Sequence, residues 1–204
     1  MTMAAPTAAA QLQQPSRPEA RSTGFWGMML LIATEASLFA YLLFSYFYLG
    51  SLASGPWPPE GPPSLRLVLP NTLVLLISSG TMYWAERSIR RGQAGRLRLG
   101  LLLTLVLGVI FLFVQGLEYS KKGITPLSHA YGSLFFTITG FHGAHVAVGL
   151  IMIAVITARA FLGHFDRRRH EAVTNVSWYW HFVDVVWLTV FASLYLSPQF
   201  GHFG

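Results

Sequence analysis

Residues 178–187 have the sequence Trp-Tyr-Trp-His-Phe-Val-Asp-Val-Val-Trp and lie within a run of about twenty largely apolar residues. A run of this length is typical of a helix that spans a bilayer. His181 and Asp184 lie inside it, and an ionisable group at the bilayer centre costs roughly 2.5–3.5 kcal/mol on insertion scales. Such a group normally faces protein or water and has a partner. The stretch therefore predicts a membrane span with a polar contact inside it.

The composition of the whole chain is that of a polytopic membrane protein. Its 204 residues are 53% hydrophobic and only 11% charged, whereas soluble domains carry about 25% charged residues. Cysteine is absent, which excludes disulfides, thiolate metal sites, iron–sulfur clusters and haem attached through Cys-x-x-Cys-His in this sequence. The net charge of +6 does not indicate nucleic-acid binding, because the basic residues cluster at the ends of apolar runs.

Five apolar segments are long enough to cross a hydrocarbon core of about 30 Å. We therefore predict an all-α bundle of five transmembrane helices, at about Phe25–Leu49, Leu67–Ala85, Leu99–Leu117, Tyr131–Ala158 and Thr174–Leu196. This membrane domain would occupy residues 24–204. Residues 1–23, rich in Ala, Gln, Pro, Ser and Thr, are predicted to form a disordered cytoplasmic tail. They lack the basic start and short apolar core of a signal peptide.

The orientation follows from the distribution of Lys and Arg. With the N-terminus in the cytoplasm, eleven of the fourteen basic residues lie inside, and only Arg66, Lys121 and Lys122 lie outside. This bias agrees with the excess of positive charge on cytoplasmic loops of membrane proteins. Five spans then place the C-terminus outside. Two arginine clusters on the cytoplasmic side are candidate contacts for anionic lipid headgroups: Arg87, Arg90, Arg91, Arg167, Arg168 and Arg169.

Three polar groups in different spans are predicted to lie at matching depth. Helix rise places Glu35 and Asp184 about 15 Å from the inner face and His142 about 16 Å from the outer face. His145 and His181 lie somewhat nearer the cytoplasm. The His142/His145 and His181/Asp184 pairs are spaced i,i+3, so each pair shares a helix face. We predict that these five residues form or border an intramembrane polar network.

The residues alone leave three interpretations of this set open. The groups bind a metal or haem, or they relay protons or bind an ion, or they are hydrogen-bond partners that hold the helices together. A convincing di-iron site needs more carboxylates, such as paired Glu-x-x-His motifs. The absence of a long internal repeat removes a common signature of transporters. A face of small residues on the fourth span (Gly140, Gly143, Ala144 and Ala147) further indicates close helix packing.

Several motifs, in order from about Gly27 onward, resemble those of subunit III of the haem–copper terminal oxidases. The two most specific are Thr139-Gly-Phe-His-Gly-Ala-His-Val146 and the 178–187 stretch. The others are Leu31-Ile-Ala-Thr-Glu35, Trp57-Pro-Pro59, Leu69-Pro-Asn-Thr72, Gln115-Gly-Leu-Glu-Tyr119 and Tyr131-Gly-Ser133. The family usually has seven helices, and this chain resembles the last five. Five-helix forms occur in quinol oxidases and in some bacterial cytochrome c oxidases.

The resemblance implies a non-redox subunit rather than a catalyst. Haems and copper are expected in partner subunits I and II, with no cofactor in this chain beyond a bound phospholipid. The chain would pack directly on subunit I, sustain its activity and support its proton uptake, in a bacterial inner membrane and in some cases within a respiratory supercomplex. Glu35 matches the family's intramembrane glutamate, which reacts with carbodiimide as a protonated carboxyl does. Burial in apolar surroundings favours that protonated form.

The resemblance leaves some alternatives open. The electron donor is cytochrome c or quinol, because donor sites lie on other subunits. A related possibility is the subunit-III-like protein of nitric oxide reductase systems. Outside the family, a membrane protein with its own metal or haem and an independent ion or proton carrier remain the competing hypotheses.

Overall fold

The computed structural model describes residues 22–200, and all its regular secondary structure over that range is helical. Five long helices follow one another: α1 Thr23–Leu52, α2 Leu65–Arg90, α3 Ala94–Lys121, α4 Ala130–Phe161 and α5 Glu171–Phe191. All five are long and apolar enough to span a membrane. This confirms the predicted all-α fold class with five spans. The predicted tail, residues 1–23, lies outside the described residues except for Ser22 and Thr23, which cap and begin α1.

The helices are longer than the predicted spans at nearly every end. For example, α3 continues to Lys121, four residues beyond the predicted end at Leu117. Sequence hydropathy detects only the part of a helix that lies in hydrocarbon, whereas the backbone hydrogen bonds continue into the polar interface. The fifth span also differs in detail, because α5 passes into a π-helical turn at Ala192–Leu196 and a 3₁₀ turn at Ser197–Phe200.

Short polar and glycine signals define the helix ends. The Ser22 hydroxyl accepts a hydrogen bond from the Phe25 amide at the start of α1, and His129 Nδ1 accepts one from the Gly132 amide at the start of α4. Gly92 follows α2 with φ +76°, and Gly163 follows α4 with φ +78°. A residue with a Cβ atom is disfavoured at such positive φ values. These caps let consecutive helices reverse direction.

The helices pack so that α5 is the most enclosed. It contacts α1, α2 and α4, while α2 and α3 form a close pair and α4 packs against α1, α3 and α5. In the apolar 18-residue stretch of each helix, half of the α5 residues are buried, against 6% of the α1 residues. Helix α1 therefore presents most of its surface outward, to lipid or to another protein.

Two buried tryptophans of α5 form the centre of the bundle. Trp180 and Trp187 are fully enclosed, and their indole N–H groups donate to Ser78 Oγ and Thr72 Oγ1 of α2. Trp180 lies near the predicted start of the fifth span, where tryptophan commonly anchors at the membrane interface, yet it is fully buried in the bundle. Trp180 instead packs against the open faces of Gly108 and Gly149, where a Cβ atom would lie within 3.0 Å of its ring.

Candidate functional site

A carboxylate–imidazole pair joins α1 to α4 inside the membrane-spanning region. Glu35 Oε2 lies 2.9 Å from His145 Nε2. The other ring nitrogen of His145, Nδ1, lies 2.7 Å from the Phe141 carbonyl oxygen one turn earlier in α4. The Phe39 ring packs edge-on against the imidazole, with ring centroids 5.1 Å apart. These contacts fix the imidazole in one orientation toward Glu35.

The hydrogen bonds determine where the protons of this pair lie. A carbonyl oxygen only accepts, so His145 Nδ1 carries a hydrogen and donates it to Phe141. Nε2 and the Glu35 carboxyl then share one further proton, as imidazolium with carboxylate or as imidazole with carboxylic acid. Both arrangements have zero net charge. The pair can therefore shift a proton between α1 and α4 without changing the charge of the site.

The Glu35–His145 pair is open to the outside of the bundle. The Glu35 side chain is 27% exposed and the His145 side chain is 14% exposed. We call the partly exposed surface around the pair, where α1 packs against α4, the α1–α4 groove. An ionisable group that faces lipid at this depth is unfavourable.

His142 faces the opposite way, although it lies only three residues before His145. Its ring is fully enclosed and stacks at 4.8 Å from Trp187, with the edge of Phe111 at 5.8 Å. Neither ring nitrogen has a hydrogen-bond partner among residues 22–200. His142 is therefore part of the aromatic core of the bundle.

The second predicted i,i+3 pair lies between α5 and α2. His181 Nδ1 lies 2.6 Å from the Ser79 hydroxyl, and Ser79 also lies near Asp184. Asp184 is buried, and neither carboxylate oxygen meets hydrogen-bond geometry with a described residue. Ser79 is the functional partner that the sequence did not indicate, because a serine on an apolar helix carries no distinctive signal.

The five predicted residues therefore occupy three separate environments. Among the described residues, no hydrogen bond connects the Glu35–His145 pair to His142, His181 or Asp184. Within the same range, no three His, Asp or Glu side chains cluster closely enough to hold a metal ion. Only the Glu35–His145 pair joins two of the predicted residues directly.

Comparison with known proteins identifies the family. The family model described as cytochrome c oxidase subunit III matches residues 14–198. The chain is 42% identical over 178 residues to cytochrome c oxidase subunit 3 of Oncorhynchus mykiss and to that of Gadus morhua, which covers 83% of this chain and 68% of each relative. The Arabidopsis thaliana protein of the same name is 38% identical over 178 residues, covering 83% of this chain and 67% of the relative.

This chain belongs to the cytochrome c oxidase subunit III family. It is therefore a subunit of a respiratory haem–copper oxidase complex and not the catalytic subunit itself. The resemblance seen in the sequence motifs is confirmed. The relatives include fish and plant proteins, so family membership supports a multi-pass membrane protein without indicating a bacterial membrane.

This subunit III also contains a buried charged cluster that sequence reasoning missed. Glu118 near the end of α3 is buried, accepts a hydrogen bond of 2.9 Å from the Tyr195 hydroxyl and lies 3.8 Å from Lys122 Nζ. Lys122 also lies 3.5 Å from the centre of the Phe135 ring. Burial lowers the pKa of Lys122, and the Glu118 carboxylate opposes that shift. The predicted span ended one residue before Glu118, which therefore looked like a loop residue.

The arginine clusters that are predicted to lie on the cytoplasmic side are partly engaged within the chain. Arg90 pairs with Glu86, and Asp166 accepts hydrogen bonds from the Arg168 and Arg169 amides and from Arg169 Nε. The guanidinium groups of Arg87, Arg91, Arg167 and Arg168 have no hydrogen-bond or ion-pair partner among residues 22–200, and these four remain the candidates for headgroup contact among the six. The pKa of Asp166 falls to about 2, chiefly because of the hydrogen bonds from the Arg169 and Arg168 amides.

Proposed function

We propose that this subunit III docks its α1–α4 groove on the redox-carrying subunit I of the oxidase and thereby sustains its activity and proton uptake. The single observation that carries the proposal is the Glu35–His145 pair, held at 2.9 Å and open on the outer side of the bundle. A polar pair in a membrane normally faces protein. A protein surface over the groove would satisfy it.

The exposed surfaces of α1 and α4 suit a docking helix. Helix α1 is the least buried of the five. On α4, the exposed residues Ser133, Thr137, Gly140 and Ala144 lie on one stripe at helical spacing, and small side chains let two helix backbones approach closely in a membrane. The predicted small-residue face of α4 lies on the side of the helix away from His145 and offers a second surface for close packing, because Gly140 makes only an ordinary 3.9 Å contact within the chain.

We expect the pair to hold a contact between subunits and to exchange a proton, and not to transfer electrons. No residue set in the described part of the chain supports a metal site, and the resemblance places haems and copper in subunits I and II. The Glu35–His145 pair can hold one exchangeable proton beside the partner surface at zero net charge. It therefore supports proton uptake by the partner without trapping a buried charge.

The membrane and lipid environment form part of the same proposal. A bacterial cell membrane is the location that we propose for the complex. The free arginines on the predicted cytoplasmic side would contact anionic lipid headgroups. Contact with subunit II and membership of a respiratory supercomplex are further proposals. Family membership favours this function over a nitric oxide reductase accessory protein or an independent ion carrier.

The test compares oxidase complexes that carry variants of the pair. Glu35→Ala leaves His145 Nε2 without a partner, so we expect less subunit III in the purified complex and a several-fold shorter active lifetime during oxygen reduction. Glu35→Gln keeps a donor for Nε2 and should retain the subunit. Glu86→Ala, which removes a paired carboxylate from α2 outside the groove, is the matched control. Wild-type retention and lifetime for Glu35→Ala would contradict the docking role.

A further inference from the structure

A cavity of about 420 Å³ opens at the end of the bundle that carries the α1–α2 and α3–α4 loops. Its walls are the proline-rich α1–α2 loop, the start of α2, and the end of α3 with the residues that follow it. Neither Glu35 nor His145 lines it, and no residue of α1 does. The cavity is therefore a surface distinct from the α1–α4 groove.

The proline-rich loop that forms one wall is held in place by contacts at both of its ends. Trp57 is buried and packs against Tyr46 of α1 and Tyr131 of α4, with ring centroids 5.7 Å and 5.5 Å apart. Further along the loop, the Pro63 carbonyl oxygen accepts a hydrogen bond of 2.9 Å from Gln199 Nε2. The proline rings also lock φ along the loop. A wall that is ordered in advance lowers the entropic cost of binding.

The basic and acidic side chains that line the cavity are unevenly paired. The Glu118 carboxylate accepts a hydrogen bond from the Tyr195 hydroxyl and lies 3.8 Å from Lys122 Nζ. Arg66 and Lys121 also line the cavity, and both are exposed. Neither of these two side chains has a hydrogen-bond or ion-pair partner among residues 22–200. Two cations are therefore available to an anionic group that enters the cavity.

The cavity also presents a carboxylate that is open to solvent. The Glu60 side chain is 58% exposed, and its nearest ionic partner is His129 Nε2 at 3.8 Å. A peptide segment with an acidic side chain offers a carboxylate to the two cations and backbone N–H donors to Glu60. A lipid phosphodiester has acceptor oxygens only, and Glu60 would repel its charge. The mixed charges of the lining therefore favour a protein segment.

We propose that this cavity is a docking site for an acidic segment of another subunit of the oxidase. An aspartate or glutamate of that segment lies between the Arg66 guanidinium and the Lys121 ammonium, and its backbone N–H donates to Glu60. Arginine binds a carboxylate through paired N–H donors, and lysine adds a point charge. The volume is within the range of about 300–1,000 Å³ that is usual for pockets. This site goes beyond the proposed function and shares no residue with the α1–α4 groove.

The experiment uses the intact oxidase complex purified from its own membrane. A water-soluble carbodiimide joins an ammonium to a carboxylate in contact with it, and peptide mass spectrometry identifies both residues. We expect Lys121 to be joined to an aspartate or glutamate of another subunit. Arg66→Gln should lower the yield of that product several-fold, because one of the two cations is lost, and Arg66→Lys should retain it. Arg96→Gln removes an exposed cation at the other end of α3 and is the matched control with unchanged yield.

A charge exchange tests the same contact without the reagent. Lys121→Glu should lower the share of complexes that keep the joined subunit through a fixed detergent wash, and lysine in place of the identified acid should restore it. No product with another subunit, or equal yields from wild type and Arg66→Gln, would overturn the proposal. Loss of a phospholipid with every subunit retained, seen by native mass spectrometry of Arg66→Gln/Lys121→Gln, would overturn it too. Glu35 is unchanged throughout, so either result is independent of the test of the α1–α4 groove.

Discussion

Residue by residue, the Glu35–His145 contact shows how a membrane span accommodates an acid. His145 is the hydrogen-bond partner of Glu35 among the described residues, and the Phe141 carbonyl holds the ring in place. Proton sharing keeps the pair neutral overall, which limits the cost of placing it within the hydrocarbon. The neighbouring His142 instead packs among aromatic side chains, and neither of its ring nitrogens has a hydrogen-bond partner among the described residues.

His145→Leu should destabilise the oxidase-bound subunit, because Glu35 loses its partner at the groove. The expected loss is about 1–3 kcal/mol, the usual cost of an unsatisfied polar group. Denaturant-induced dissociation of the subunit from the complex measures it. His164→Leu, in an exposed loop, is the control and should change stability by less than about 0.5 kcal/mol. Equal stability of the two variants would show that the pair contributes nothing.

Asp166 provides a pH-dependent contact in the loop between α4 and α5. Its lowered pKa of about 2 means that its contribution is present above its ordinary value of 3.8 and is lost as pH falls toward 2. Carbon NMR of the Asp166 carboxyl should therefore show a midpoint near 2. Arg169→Gln should raise that midpoint only partly, because the backbone amides contribute most of the shift. A wild-type midpoint near 3.8 would contradict this geometry.

At the scale of the helical elements, the closest approach of α2 and α3 depends on Gly100. A Cβ atom there would lie 2.7 Å from Ala85 Cβ and 3.1 Å from the Thr81 carbonyl oxygen. Two backbones can approach this closely only where one has no side chain. The close approach of α2 and α3 at this point therefore requires a glycine at position 100.

Gly100→Ala should destabilise the subunit by about 1–3 kcal/mol through overpacking. Gly116→Ala is the matched control on the same helix, because nothing lies within 4 Å of its added Cβ atom. The control should be neutral or more stable by about 0.5–1 kcal/mol, since alanine is the better helix former. Thermal dissociation of the two complexes compares them. If both variants behave alike, the close approach of α2 and α3 is incorrect.

The helices were predictable from sequence for a simple reason. Crossing about 30 Å of hydrocarbon requires about twenty apolar residues, and each predicted span has a matching helix. The rotation of each helix about its own axis was harder to predict from the sequence. Depth placed Glu35, His142 and Asp184 together, but rotation of α4 directs His142 into the aromatic core and His145 toward Glu35. Buried Glu118 was missed because hydropathy ended its span one residue too early.

For the molecule as a whole, the arginine distribution predicts the orientation in the membrane. Alternating helices place the α1–α2 and α3–α4 loops at one end and the α2–α3 and α4–α5 loops at the other. The first end holds Arg66, Lys121 and Lys122 and is expected outside. The arginine clusters lie at the other end and would then contact the inner leaflet.

Single cysteines test this orientation directly, because the chain has none of its own. A membrane-impermeant maleimide added to the predicted outer face of the sealed native membrane should label Ser54→Cys and Leu127→Cys, which lie in exposed loops at that end. Gln93→Cys, in the α2–α3 turn, should react only after the membrane is opened. If Gln93→Cys is labelled before the membrane is opened and the other two are not, the bundle has the opposite orientation.

The central claim is that this chain is a non-redox subunit that sustains the oxidase on which it docks. The most direct measurement follows oxygen consumption by oxidase purified with and without this chain, from one membrane and at equal haem content. Both preparations should start at similar rates, and the complex without the chain should lose activity several-fold sooner during turnover. Adding back the wild-type chain, but not the Glu35→Ala variant, should restore the lifetime. Equal lifetimes with and without the chain would contradict the account.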